Sequence, residues 1–270
     1  MKREIFHYSI EEAAPYIDWS YLLHAWGLNG GDAIRSSADE IMRDARAMLD
    51  SLGDKHSTHA IFALCEARGD GDDIMIEGER FPMLRQQHAL PNKPNLCLSD
   101  FVSPYGDKVG LFATTVDAAF GTEYHDDTYM HILAQTLADR LAEATASMMH
   151  MQVRKEKRLW GYAPDEELDI EGLNKEKYQG IRPAVGYPSL PDQSIIFDID
   201  RLLKIEDIGI TVTGSGAMLP HASVCGMMIS HPAASYFAIG KIDRVQLQEY
   251  SVRRGKPVGE IEKFLTRNIG

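Results

Sequence analysis

Eleven consecutive residues constrain this chain more than any other stretch: Tyr178-Gln179-Gly180-Ile181-Arg182-Pro183-Ala184-Val185-Gly186-Tyr187-Pro188. Two prolines and two glycines break the ladder of a helix or a central strand, so the segment must be a loop. Pro183 and Pro188 bias Arg182 and Tyr187 toward extended backbone. Gly186 lets a ligand or another backbone approach closely. The result is a stiff loop with one guanidinium fork, bare backbone donors and an aromatic plate. The fork suits a carboxylate, and the plate and bare backbone suit a flat heterocycle. A ligand with a carboxylate at one end and a purine at the other fits this description. So does a plain surface crossing, and composition alone does not separate the two.

The rest of the chain reads as alternating helices and hairpins. Ser9 and Glu12 form a capping box that opens a short helix. Asp18, among large apolar residues, either caps the next turn or is held ready to receive an ammonium group. Residues 38–52 carry Ile41, Ala45, Met48, Leu49 and Leu52 at helical spacing, with Gly53 at the stop. Ala60–Ala67 reads as a strand, residues 68–72 as a turn and 73–77 as the return. Two further strands are expected at Leu96–Ser103 and Val109–Thr115. Asp126 is the expected cap of a long helix reaching Arg154, with Leu133, Leu137, Leu141, Ala144 and Met148 as its buried stripe and Glu143 off that stripe. The basic run from Arg154 to Arg158 complements the helix dipole or meets an acidic partner. A short helix is expected over 166–177 and another after Asp192. Strands are expected at Ile210–Thr213, Ser223–Ile229 and Tyr236–Ile242, then helices over 244–253 and 258–267, with Pro257 opening the last.

Several function classes are excluded or disfavoured. The formal charge of −12 argues against broad binding to nucleic-acid phosphates. No apolar run approaches the ~20 residues that span a bilayer, and the start lacks a signal peptide. Cys65, Cys97 and Cys225 read as reduced, buried thiols of a cytoplasmic protein. The histidines show no metal-ligand spacing. Asp54-Lys55-His56 resembles the start of a cobalt-ligating loop, but His59 stands where that motif needs glycine, so it reads as a chance loop. Gly214-Ser215-Gly216 follows a strand but lacks the third glycine and runs into Pro220, so no Rossmann site is assigned.

Arg182-x-x-x-Gly186-Tyr187, inside Gln-Gly-Ile-Arg-Pro-Ala-x-Gly-Tyr-Pro, resembles the S-adenosylmethionine-binding signature of the activation domain of cobalamin-dependent methionine synthase. Tyr16-Ile17-Asp18-Trp19, the segment around Leu137–Ala144, Trp160–Pro164 and residues 223–240 are similar to that family in the same order. The sequence departs from it at Ser189-Leu190, at Leu219-Pro220-His221 and at Phe237, where a second tyrosine is common. The resemblance implies an α+β fold: a mainly antiparallel curved sheet with surrounding helices. The helix-and-hairpin order agrees, and no doubly wound parallel sheet is suggested.

It also implies a cofactor-binding set of Asp18, Glu143, Glu176, Arg182, Ala184, Gly186, Tyr187, Tyr236 and Phe237, with no general base. The implied function is reductive remethylation of cob(II)alamin to methylcobalamin. S-adenosylmethionine is the methyl donor, the cobalamin is held by a methionine synthase module, and flavodoxin or a similar reductase is the electron donor. Because the module begins at Met1, one activation-like domain over 1–270 acting in trans is expected, as part of a methyltransferase and not a complete enzyme. Two alternatives stay open: a non-catalytic S-adenosylmethionine-binding partner of another corrinoid protein, and a methyltransferase with a non-corrinoid acceptor.

Overall fold

The computed structural model describes residues 1–28, 32–88 and 93–270. Its main sheet starts with β1 (Lys2–Ser9), which pairs antiparallel with β2 (Ser57–Asp70) from Ser9 opposite Ser57 to Lys2 opposite Leu64. β2 turns at Gly71 and Asp72 into β3 (Asp73–Ile76), which pairs with β4 (Glu79–Pro82). β5 (Asp107–Val116) lies along β2 on the other side. A separate hairpin of β6 (Thr211–Val212) and β7 (Met218–Leu219) precedes β8 (Ser223–Ile229), which pairs with β5. The order is β4-β3-β2-β5-β8 with β1 beside β2, every pairing is antiparallel, and the sheet curls into a half-barrel.

Side-chain alternation along β2 divides the core. Phe62 stands opposite Phe112 of β5, and both pack toward one set of helices. Their neighbours Ile61 and Ala63 stand opposite Ala113 and Leu111 and face the other layer. The first layer contains α1 (Ile10–Ala13), α2 (Trp19–Ala25), α3 (Asp32–Leu52) and α4 (Thr128–Lys155). The expected stripe of α4, Leu133 to Met148, is buried there, as are Ile41, Ala45, Met48, Leu49 and Leu52 of α3. After the short α5 (Ile170–Asn174), α6 (Ile195–Leu203) buries Ile195, Ile196, Ile199 and Leu203 on the opposite face. α7 (Arg244–Arg254) and α8 (Val258–Phe264) close a smaller cluster around Tyr250 and Ile261. Cys65, Cys97 and Cys225 are free and buried. Among the described residues no helix is long and apolar enough to cross a membrane.

The Ser9–Glu12 capping box is present in both halves. Other expectations are corrected. Residues 68–70 continue β2 instead of turning. Leu96–Ser103 is not a strand: the Asp100 carboxylate accepts the Cys97 N–H at 2.8 Å, which tightens Leu98–Phe101 into a 3-10 turn. The long helix is capped by Asp127, not Asp126, through the Met130 N–H at 3.1 Å. The helix expected over 166–177 shrinks to α5, capped by Asp169, because Glu166 is engaged elsewhere. The N-cap of α6 is Ser194, whose N–H is held by Asp192 at 2.8 Å. Tyr236–Ile242 does not form a strand: Ile239 N–H reaches Pro188 O at 2.9 Å, and only Ile242 bridges Ile269.

Candidate functional site

The segment 178–188 lies along the edge of β8 as an interrupted extra strand. Ile181 exchanges both backbone bonds with Ile229 at 2.9 Å, Met227 N–H donates to Pro183 O at 3.1 Å, and Val185 N–H donates to Cys225 O at 2.8 Å. Pro183 has no N–H to add to this ladder, so the pairing stays broken into bridges. Gly226 of β8 makes the approach possible: a Cβ there would stand 2.3 Å from Pro183 O. Several of the backbone donors that the sequence suggested were bare are occupied within the protein. Arg182 N–H goes to the Tyr236 hydroxyl at 2.9 Å, Gly186 N–H to Leu190 O at 2.8 Å and Tyr187 N–H to Ala184 O at 3.2 Å.

Between this segment, α4 and the start of α2 lies a cavity of about 530 Å³, within the range of small-molecule sites. Helix α4 presents Arg140, Glu143, Ala144 and Ser147 to it, the i, i+3, i+4, i+7 spacing of one helical face. Tyr16, Asp18 and Tyr21 line it from the entry to α2, and Leu173, Asn174 and Glu176 from the end of α5. Tyr178, Arg182, Ala184 and Tyr187 come from the β8-edge segment, and Tyr236 with Phe237 from the chain beyond β8. Eight of the nine residues singled out in the sequence thus meet on one cavity. Gly186 does not line it. With φ +85 it turns the chain after Val185, and a Cβ there would meet the Gln193 side chain at 2.4 Å.

The electrostatics are concentrated on Arg182. Its guanidinium donates to Ser147 Oγ at 2.8 Å and pairs with Glu143 Oε2 at 3.4 Å, while its Nε is buried without a partner. Burial works against the charge, but Glu143 and the neighbouring tyrosines outweigh it and raise the Arg182 pKa. The second oxygen of Glu143 accepts a hydrogen bond from the Tyr187 hydroxyl, so Glu143 joins both ends of the signature segment to α4. Burial, with Glu143 next, raises the Tyr187 pKa and keeps that hydroxyl a donor. Glu176 has a left-handed backbone at φ +53, unusual for a residue with a Cβ. Its carboxylate accepts no hydrogen bond from any described residue, and burial raises its pKa against the pull of Arg182. Asp18 caps α2, accepting from Ser20 N–H at 3.0 Å and Ser20 Oγ at 2.6 Å, while also lining the cavity.

Sequence reasoning missed Ser147, Arg140 and Tyr178. The first two share a helical face with Glu143, and that spacing was the available signal; Tyr178 sat unremarked inside the signature segment. Arg154, first read as part of a basic run that complements the helix dipole or meets an acidic partner, is instead buried behind the cavity and donates to Glu166 at 2.7 Å. Glu166 in turn accepts the Gln179 N–H at 2.8 Å, which anchors the segment to α4. Among the described residues no group of three or more histidine, cysteine or acidic side chains could hold a metal ion. Two guanidiniums, of which Arg182 has a free Nε, and three carboxylates suit a zwitterion carrying a further positive charge, and the aromatic walls suit a flat ring.

The fold and cavity together define an α+β half-barrel with a cavity of small-molecule size at the edge of its sheet. Residues 9–255 match the family model described as vitamin B12 dependent methionine synthase, activation domain. The structure is similar to the crystal structure of the MetH reactivation domain bound to AdoHcy, with a TM-score of 0.92 and 37% sequence identity over 100% of this chain and 91% of that one. The chain belongs to the family of vitamin B12-dependent methionine synthase activation domains.

Proposed function

We propose that this chain binds S-adenosylmethionine in the cavity and supports reductive remethylation of cob(II)alamin held by a methionine synthase module. The convergence of Asp18, Glu143, Glu176, Arg182, Tyr187 and Tyr236 on one cavity carries this reading, and the similar MetH domain bound to AdoHcy supports it. The residues present fit the ligand. The orphaned Arg182 Nε calls for an acceptor such as a carboxylate. The Glu176 carboxylate lines the cavity without a hydrogen-bond partner among the described residues and is open to a donor or a positive charge. Arg182 clamps the carboxylate, Asp18 receives the ammonium, and Glu143 and Glu176 accept from ribose or ammonium and complement the sulfonium. Ala184, Tyr187 and Phe237 form the wall for the adenine end, and Gly186 contributes the turn that presents Tyr187.

The ligand supplies an electrophilic methyl group. The methyl acceptor would be cob(II)alamin held by the partner module, with one electron supplied by flavodoxin or a similar reductase, and S-adenosylhomocysteine would be left in the cavity. The protein needs no general base in this transfer; it holds the sulfonium methyl toward the corrinoid. Residues 1–270 are proposed to work as one activation-like unit, in the cytoplasm, able to serve a cobalamin module supplied in trans.

Calorimetric titration of S-adenosylmethionine into the wild type and Arg182→Ala tests the site. Losing the charged clamp is expected to cost about 1.5–3 kcal/mol. No wild-type binding, or unchanged affinity in the variant, overturns the assignment. The trans reading is tested by adding the protein, S-adenosylmethionine and a flavodoxin reducing system to a cob(II)alamin methionine synthase that lacks this domain. Failure of the methylcobalamin spectrum to return rejects it.

A further inference from the structure

Behind the cavity wall, α4 grips the ring of Tyr178 from two successive turns. His150 meets it edge-on with centroids 4.9 Å apart, and the Arg154 guanidinium carbon stands 4.6 Å from its centroid. His150 is held in turn by the Tyr162 hydroxyl at 2.8 Å, and Arg154 by Glu166. The ring of Tyr178 is fixed by these contacts, and its hydroxyl lies 3.0 Å from that of Tyr236. Burial, with Tyr236 next, raises the Tyr178 pKa, so the hydroxyl keeps its proton.

The two hydroxyls carry two protons. One makes the bond between them. Tyr236 also accepts the Arg182 N–H at 2.9 Å, a bond that takes up neither hydroxyl proton. Among the described residues no acceptor stands for the second proton, and both tyrosines line the cavity. An oxygen that accepts two hydrogen bonds becomes the better donor, and Tyr236 is the oxygen already accepting from Arg182.

We propose that Tyr178 is a positioning residue: by donating to Tyr236 it turns the Tyr236 proton into the cavity beside Arg182, where it meets a carboxylate oxygen of the ligand. The ligand's acid group is then held by a hydroxyl as well as by the guanidinium, and α4 sets the angle of that hydroxyl through Tyr178. This inference rests on the S-adenosylmethionine reading above.

The test is a double-mutant cycle by calorimetry with S-adenosylmethionine, using Tyr178→Phe, Tyr236→Phe and the pair. Tyr178→Phe keeps the ring and its contacts, so its melting temperature is expected to stay near that of the wild type. Its affinity is expected to fall roughly 3- to 10-fold, on the scale of one hydrogen bond. Tyr236→Phe is expected to lose at least as much, and the double variant no more than Tyr236→Phe, because Tyr178 acts through Tyr236. Decarboxylated S-adenosylmethionine is expected to bind wild type and Tyr178→Phe equally. Unchanged S-adenosylmethionine affinity in Tyr178→Phe, or additive losses in the cycle, overturns the inference while leaving the site reading intact. Equal losses with and without the carboxylate overturn its placement of the proton. A wild type that does not bind S-adenosylmethionine overturns the site reading and this inference with it.

Discussion

Arg154 of α4 and Glu166 of the following loop form a buried ion pair at 2.7 Å, with the arginine side chain only 1% exposed. Glu166 also holds the Gln179 N–H, so the pair fastens the start of the signature segment to the helix that lines the cavity. Glu166→Leu leaves the guanidinium uncompensated and is expected to cost about 3–5 kcal/mol of stability. Replacing both residues, Arg154→Met with Glu166→Leu, is expected to recover most of that loss, because no buried charge remains. Urea denaturation of the three proteins checks this. A double variant no more stable than Glu166→Leu would show that the pair matters through something other than charge balance.

Gly226 tests how the segment lies on β8. A methyl group at this position meets backbone first, Pro183 O at 2.3 Å and Ala184 Cα at 2.8 Å, and then the buried Phe112 ring at 3.1 Å. Gly226→Ala is expected to destabilise by about 1–3 kcal/mol through overpacking and to weaken S-adenosylmethionine binding by displacing Arg182. Thermal melting and titration report the two effects separately. A variant with wild-type melting and affinity would contradict the close approach.

Glu176 gives a pH dependence with a defined sign. Burial raises its folded-state pKa above the ordinary 4.5. Between these two values the folded protein keeps a proton that the unfolded chain has lost. Its favourable contribution is therefore complete below about 4.5 and is lost as pH rises through the folded pKa. A cationic ligand favours the ionised form, so S-adenosylmethionine binding is expected to strengthen with pH across that window and to release protons. Glu176→Gln is expected to bind more weakly at neutral pH and to lose the dependence. Titrations in buffers of different ionisation enthalpy count the protons; an unchanged profile in the variant assigns them elsewhere.

Much of the architecture was legible because periodicity is a local signal. Leu133 to Met148 marked α4 and the run Ser223–Ile229 marked β8, and both are where the pattern put them. Arg182 was legible as a functional candidate because it is the one charged residue in a loop of two prolines and two glycines. What was not legible depends on partners distant in sequence. β1 went unread because its charged start, Lys2 to Glu4, hides the alternation that only pairing with β2 reveals. The aromatic run at Tyr236 imitated a strand, yet its hydroxyl serves Arg182 across 54 positions. Of the donors expected to be bare in the signature segment, those of Ile181 and Val185 were lost to β8, an edge that no local pattern announces, and those of Arg182, Gly186 and Tyr187 to Tyr236, Leu190 and Ala184. Arg154 looked like one of several surface cations until Glu166 and Tyr178 closed around it.

Glu143 already faces Arg182 across the cavity, one carboxylate against one guanidinium, with Tyr187 on the other oxygen. Arg182 and Glu143 thus form an internal salt at the cavity wall, and the proposed ligand would exchange partners with it more than fill space. An amino acid end brings an anion for Arg182 and a cation for the carboxylates, so neither wall is stripped of its counter-charge. A neutral nucleoside, or one carrying a charge of a single sign, would separate the pair and leave one partner bare in a half-dry site. On the proposed S-adenosylmethionine reading, a zwitterion is thus the charge pattern that this pair would accept at least cost, before any contact with the purine is made.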